Sequence, residues 1–151
     1  MMEEQDFCAM ILTHGRPGKV FTYDTLRRQG YTGRIVVVID NEDSLIDEYR
    51  KAYGDQVYVF DKAAVASRMD QGDNFDDRRS IVFARNASFE IAEELGIKYF
   101  IQLDDDYTEF RYRKDHNYRP IKGRVDYIRS LDSVFDALLS FYKATPIMSV
   151  A

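Results

Sequence analysis

The run Ile35-Val36-Val37-Val38-Ile39 constrains this chain more than any other stretch of it. It is β-branched throughout and shows no polar alternation, so the strand it forms is buried on both faces. Such strands belong to parallel sheets covered by helices on each side, and the rest of the chain supplies the pieces. An apolar run over residues 6–12 ends in Thr13-His14-Gly15-Arg16-Pro17-Gly18, where Gly and Pro mark a loop. A helix is predicted over residues 20–29, closed by Gly30 and Gly33. Leu45, Ile46 and Tyr49 stand at helical spacing within residues 44–53, and Gly54 then leads to a strand over residues 57–60 that ends at Asp61. Residues 66–77 carry Gly72 and several charges without periodicity and read as a loop long enough to have a function. Ile81, Ala84, Ala87, Ile91 and Leu95 form one apolar stripe with Gly96 at the C-cap, and the strand that follows, residues 99–103, runs into Asp104-Asp105-Asp106. Ser130 caps a last helix carrying Leu131, Val134, Phe135, Leu138, Leu139 and Tyr142; Thr145-Pro146 breaks it, and residues 147–151 read as the start of another strand. The order predicts an α/β fold with a mostly parallel sheet flanked by helices. Sheets of this kind bind ligands at the carboxyl ends of their strands, which here carry Thr13 to Arg16, Asp40, Asp61 and Asp104 to Asp106.

With 151 residues, 45% of them hydrophobic and 31% charged, the chain suits one globular domain with a real core. Its apolar runs are strand-sized, well short of the ~18 residues that span a membrane. The first six residues, Met1-Met2-Glu3-Glu4-Gln5-Asp6, are acidic where a secretory leader is basic, so export is not expected. The lone Cys8 cannot form an internal disulfide and reads as a small core residue, which places the chain in a reducing, cytoplasmic compartment. The net charge of −5 argues against a nucleic-acid partner, but its distribution does not. Between Phe110 and Arg129 stand seven bases against two acids, leaving the remainder of the chain at −10.

Three consecutive carboxylates at the end of a buried strand repel one another, and a cation is the simplest way to neutralise them. In an extended strand Asp104 and Asp106 share a side, so both can reach one ion. Oxygen ligands without nitrogen or sulfur suit Mg²⁺ or Mn²⁺. As a bare pattern an acidic turn after a strand is common, and the preceding Ala84-Arg85-Asn86, the helix, Gly96 and the apolar strand give it context. Without that context His14 reads as an exposed loop residue and Arg85 and Asn86 as helix-surface residues.

The context resembles the core of GT-A fold glycosyltransferases, over about two-thirds of the chain from Phe7 to Asp106. By that resemblance the loop Thr13-His14-Gly15-Arg16 and Asp40 face the nucleotide, Asp40 meets the base or ribose, and Arg85 and Asn86 belong to the donor site. Asp104 and Asp105 then face the donor, and Asp104 and Asp106 hold the metal. A narrower resemblance is to the TET-associated glycosyltransferases of bacteriophages. It is carried by Thr13-His14-Gly15-Arg16-Pro17, Thr25-Leu26-Arg27, Gly30-Tyr31-Thr32-Gly33, Val38-Ile39-Asp40-Asn41-Glu42-Asp43, Gly72-Asp73-Asn74-Phe75 and Leu103-Asp104-Asp105-Asp106-Tyr107. It implies a nucleotide-sugar donor, a UDP-sugar favoured, transfer onto hydroxymethylated pyrimidines in DNA, and a phage-infected bacterial cell as the setting. The basic segment from Arg111 to Arg129, interleaved with Tyr112, Tyr118 and Tyr127, agrees with a DNA acceptor, although a solvated hairpin reads the same way.

GT-A enzymes continue past the metal-binding strand into an acceptor-binding half that supplies the catalytic base. The expectation is therefore a donor-binding domain that is incomplete at its C-terminus, with no base assignable. Two other enzyme readings fit less well. Asp104-x-Asp106-x-Thr108 matches the motif of haloacid-dehalogenase-like phosphatases, but there the motif ends the first strand, and here other strand units precede it. Gly15-Arg16-Pro17-Gly18-Lys19 imitates a nucleotidyltransferase signature loop only in part. From a different class comes a catalytically silent module that holds a nucleotide sugar or recruits a partner through its basic face.

Overall fold

The computed structural model describes residues 6–68, 81–122 and 126–150. Four strands, β1 (Phe7–Leu12), β2 (Arg34–Asp40), β3 (Val57–Phe60) and β4 (Tyr99–Asp104), form one sheet in the order β3-β2-β1-β4, and every pairing is parallel. Parallel neighbours need crossover connections. Helices α1 (Phe21–Arg28) and α2 (Ile46–Tyr53) carry the chain from β1 through β2 to β3, while α3 (Lys62–Ser67) and α4 (Val82–Glu94) precede β4. A last helix, α5 (Leu131–Ala144), follows the basic segment.

Both faces of β1 and β2 are buried, as the β-branched run requires. Cys8, Met10, Leu12, Val36 and Val38 pack with Phe83, Ala87 and Ile91 of α4 and Val65 of α3. Ala9, Ile11, Ile35, Val37 and Ile39 point the other way, toward Leu26 of α1, Tyr49 of α2 and Leu131 and Phe135 of α5. The helices change face because the chain reverses direction across the sheet at β1, and right-handed crossovers in opposite directions lie on opposite faces. That reversal leaves a crevice between the carboxyl ends of β1 and β4, the place where sheets of this type take ligands.

The capping chemistry explains where elements stop. Asp61 accepts the Ala64 N–H at 3.0 Å at the start of α3, and Ser130 accepts that of Ser133 at 3.4 Å at the start of α5. Gly96, at φ +67°, ends α4, with Gly96 N–H on the Glu93 carbonyl and Ile97 N–H on that of Ala92, the paired bonds of a Schellman motif.

Three sequence expectations need correction. Ala66 and Ser67 belong to α3 rather than to a loop, because Asp61 caps a turn of Lys62-Ala63-Ala64 that holds without long periodicity; the rest of the expected loop from residue 69, with the Gly72-Asp73-Asn74-Phe75 motif, lies outside the described residues. The buried stripe of α4 runs through Phe83, Ala87, Ser88, Ile91 and Ala92, whereas Ile81 is exposed ahead of the helix and Ala84 and Leu95 only border the core. Residues 147–150 form no strand: they are exposed and have no ladder partner among the described residues, and apolar propensity alone does not make a strand.

The basic segment folds back on itself, with antiparallel bridges at Arg111–Tyr127 and Lys114–Pro120 and a turn in which Asp115 accepts the N–H groups of Asn117 and Arg119. Arg124 lies outside the described residues. Cys8 is fully buried, and burial pushes its thiol up to about 12, which makes it an inert core residue. Among the described residues no helix is long and apolar enough to cross a membrane.

Candidate donor site

A cleft of about 510 Å³ opens at the carboxyl ends of β1 and β4, lined among others by Thr13, His14, Arg16, Asp40, Lys62, Arg85 and Asp104 to Asp106. Larger by volume is a groove of about 540 Å³ at the opposite, amino end of β2 and β3. The switch-point cleft gathers the titratable groups, and strand ends of this polarity are where parallel sheets bind ligands.

The β1 loop is wired to the ends of β2 and β4. Thr13 donates from its hydroxyl to Asp105 Oδ2 at 2.6 Å, and Arg16 donates to the same carboxylate through Nε at 2.8 Å and through Nη2 to Oδ1. The bond to Asp105 raises the Arg16 pKa further above its ordinary value. Because the Thr13 proton is committed to Asp105, the 3.0 Å contact between Thr13 and Tyr49 has the phenol donating. Tyr49 in turn accepts the Arg16 N–H at 2.9 Å. The result is a closed ring that leaves the Arg16 backbone and returns to its side chain through Tyr49, Thr13 and Asp105. Tyr49 is fully buried, and that burial raises its pKa above the ordinary value.

A second set of bonds ties the same loop to the end of β2. His14 Nδ1 lies 2.7 Å from Asp40 Oδ2, and Asp43 Oδ2 accepts the Gly15 N–H at 2.7 Å. Asp40 also accepts the Glu42 N–H, and Asp43 that of Leu45, so each carboxylate is fixed by its own turn. Lys62 enters from the first position of α3 with its ammonium 3.9 Å from Asp40 and 5.9 Å from the centre of the Phe83 ring. It is buried in the cleft wall and makes no hydrogen bond from its ammonium among the described residues.

The three carboxylates of the acidic turn have three environments. Asp104 accepts from Arg85 Nη2 at 3.0 Å at the end of β4; Asp105 is buried and fully engaged by Arg16 and Thr13; Asp106 is exposed and makes no hydrogen bond or ion pair among the described residues, and only the charge of Arg16 acts on it from a distance. Thus Thr13, His14, Arg16, Asp40, Arg85 and all three aspartates come together, whereas Gly15 serves the loop through Asp43, and Asn86 lies on the exposed side of α4 outside the cleft lining. Among the described residues no three His, Cys, Asp or Glu side chains are grouped to hold a metal ion.

Sequence reasoning missed Lys62, Asp43 and Tyr49. Asp43 carried a usable signal, an Asp two residues before Leu45 in a turn; Lys62 and Tyr49 carried none, since Lys62 reaches the cleft only through the register of β2 beside β3, and Tyr49 reaches Thr13 and Arg16 only through the packing of α2 on the sheet.

No curated protein and no solved structure matches the chain. Residues 7–151 match the family model of the TET-associated glycosyltransferases, and the chain, with its parallel sheet and its cleft at the switch point, belongs to that family.

Proposed function

We propose that this glycosyltransferase binds a nucleoside-diphosphate sugar in the switch-point cleft with Mn²⁺ or Mg²⁺ and transfers the sugar to hydroxymethylated pyrimidines in DNA. The observation that carries the donor assignment is the meeting, in one cleft, of the cations Arg16, Lys62 and Arg85 with the carboxylates Asp104 and Asp106. An anionic diphosphate needs the first set, and a hard divalent ion the second.

The donor set fits such an ion. Asp106 is exposed and unpaired among the described residues, and Asp104 has only its Oδ1 committed, to Arg85. Mg²⁺ is ordinarily held by one or two carboxylates, with waters and substrate phosphates completing the shell, so two carboxylates suffice. The ion would supply charge stabilisation for the departing nucleoside diphosphate. Arg85 shares Asp104 with it and orients that carboxylate; Asp105, saturated by Arg16 and Thr13, holds the arginine at the cleft rather than serving as a ligand. Asp40 is tied to His14 and fixes the loop wall against which the nucleoside half would rest.

The DNA part rests on the basic segment. Arg113, Lys114, Arg119 and Lys122 are exposed and make no ion pairs among the described residues, and Tyr112 and Tyr118 are exposed beside them. Unpaired cations interleaved with aromatic rings suit phosphates and unstacked bases.

Calorimetric titration with UDP- and GDP-sugars, each with Mn²⁺ and with chelator, tests the donor reading: saturable binding to one donor that chelator abolishes is expected, and metal-indifferent binding would remove the metal. Sugar transfer to duplexes carrying 5-hydroxymethylpyrimidine, and none to unmodified duplexes, is the expected acceptor result.

A further inference from the structure

Three polar side chains on α1 and its C-cap are as buried as a core residue: Thr22 is 0% exposed, Thr25 1% and Gln29 6%. They stand at i, i+3 and i+7, on one face of the helix. Buried hydroxyls and amides are costly unless paired, and these pair with the backbone that carries the acidic turn and the basic segment. Thr22 donates to the Asp104 carbonyl at 2.5 Å and accepts the Tyr107 N–H at 3.0 Å, while its own N–H donates to the Asp105 carbonyl at 3.1 Å. Thr25 donates to the Tyr107 carbonyl at 2.8 Å. Gln29 donates to the carbonyls of Phe110 and Ile128 at 2.8 and 2.7 Å and accepts the Phe110 N–H at 2.7 Å.

Valine would fill the space of Thr22 and keep its backbone bond to Asp105, so packing does not explain the hydroxyl; its two bonds, to the Asp104 carbonyl and the Tyr107 N–H, do. Thr22 touches the backbone on both sides of Asp105 and does not line the cleft. We infer that Thr22 is a positioning residue for the donor site: its hydroxyl fixes the backbone from Asp104 to Tyr107 and thereby where the Asp104 and Asp106 carboxylates stand. This deepens the donor-site reading and rests on it. Arg85 and Arg16 hold two of the turn's carboxylates by their side chains, and the buried hydroxyl holds the Asp104 carbonyl and the Tyr107 amide together, which fixes the backbone between them without adding charge.

The test compares Thr22→Val, which removes the hydroxyl, with Thr22→Ser, which keeps it, and runs Asp106→Asn alongside. Mn²⁺-dependent binding of UDP is read by calorimetry, and exchange of the Tyr107 amide is read without ligand. Thr22→Val is expected to speed Tyr107 exchange and to weaken Mn²⁺-dependent binding about tenfold. Thr22→Ser is expected to restore both despite its lost methyl, which a purely packing role does not allow. If Asp106→Asn loses binding while Thr22→Val keeps it, the positioning role is overturned and the metal reading stands. If Asp106→Asn binds as the unaltered chain does, the metal reading falls and the inference with it, even where Tyr107 exchange is faster. If Thr22→Val does not fold, Thr22→Ser decides: binding as weak as that of Asp106→Asn overturns the inference, and retained binding with slow Tyr107 exchange supports it.

Discussion

At the mouth of the cleft, Arg16 closes on Asp105, which Thr13 also holds, while His14 and Gly15 are tied to Asp40 and Asp43. In the basic segment a few residues beyond, the side chains of Arg113, Lys114, Arg119 and Lys122 stand in solvent without an ion pair among the described residues, and Tyr118 is 83% exposed. Both regions are rich in charge. In the first, the buried carboxylates Asp40, Asp43 and Asp105 are satisfied within the protein, so the loops are set before a ligand arrives; in the second, solvent satisfies the charges, and the chain is free to exchange water for phosphate. Preorganised charge suits a small anionic donor, and uncommitted charge suits a long polyanion.

The largest expected difference between the two regions is in stability. Arg16→Ala leaves the buried Asp105 carboxylate with Thr13 as its remaining hydrogen-bond partner among the described residues, and is expected to cost about 2–3 kcal/mol, below the usual cost of breaking a fully buried pair because Arg16 is half-exposed. Arg113→Ala is expected to change stability by less than about 0.5 kcal/mol. Urea denaturation of both variants compares them directly. Equal losses would mean that the cleft network is as solvated as the basic segment, and the contrast would be broken.

Binding reverses the ranking. Replacing Arg113, Lys114, Arg119 and Lys122 by alanine is expected to lower affinity for duplex DNA more than tenfold at low salt and to reduce the slope of log K against log salt by about 3–4, while leaving donor binding unchanged. Fluorescence anisotropy over a salt series reads both quantities. An unchanged slope would show that these cations do not meet phosphate.

The contrast also marks how far sequence alone reaches. The β-branched run at Ile35, the glycine at 96 and the Ser130 cap were legible because each depends on local stereochemistry. The acidic turn was legible as a position, the end of β4, but not as three separate environments: Asp105 turns into the protein only because Arg16 and Thr13 arrive from β1. Lys62 was hidden for a similar reason. Its helix is only six residues long, too short for a periodic signal, and its approach to Asp40 follows from the pairing of Asp40 with Phe60 across β2 and β3. Gln29 and Thr22 read as ordinary helix positions until the segment from Asp104 to Phe110 is laid against them.

An effect smaller than the loss of Arg16 probes the ring itself. Tyr49 donates to Thr13 and accepts the Arg16 N–H, so Tyr49→Phe removes both bonds while keeping the ring's packing, at an expected cost of about 1 kcal/mol. The phenol is held above its ordinary pKa of 10.0 by burial, with Asp43 and Asp105 nearby adding to the shift. A folded-state pKa raised above the unfolded one favours the protonated form in the fold, so the phenol's contribution is complete below pH 10 and falls as pH rises past it. The stability gap between the unaltered chain and Tyr49→Phe is therefore expected to hold near 1 kcal/mol at pH 8 and to narrow above pH 10, as urea midpoints at the two pH values will show. Other buried tyrosines titrate equally in both chains and cancel in the difference. A gap that stays constant through pH 10 and above would mean that the ring does not depend on the Tyr49 proton, and the direction of the Tyr49–Thr13 hydrogen bond, which follows from Thr13 spending its own proton on Asp105, would have to be reversed.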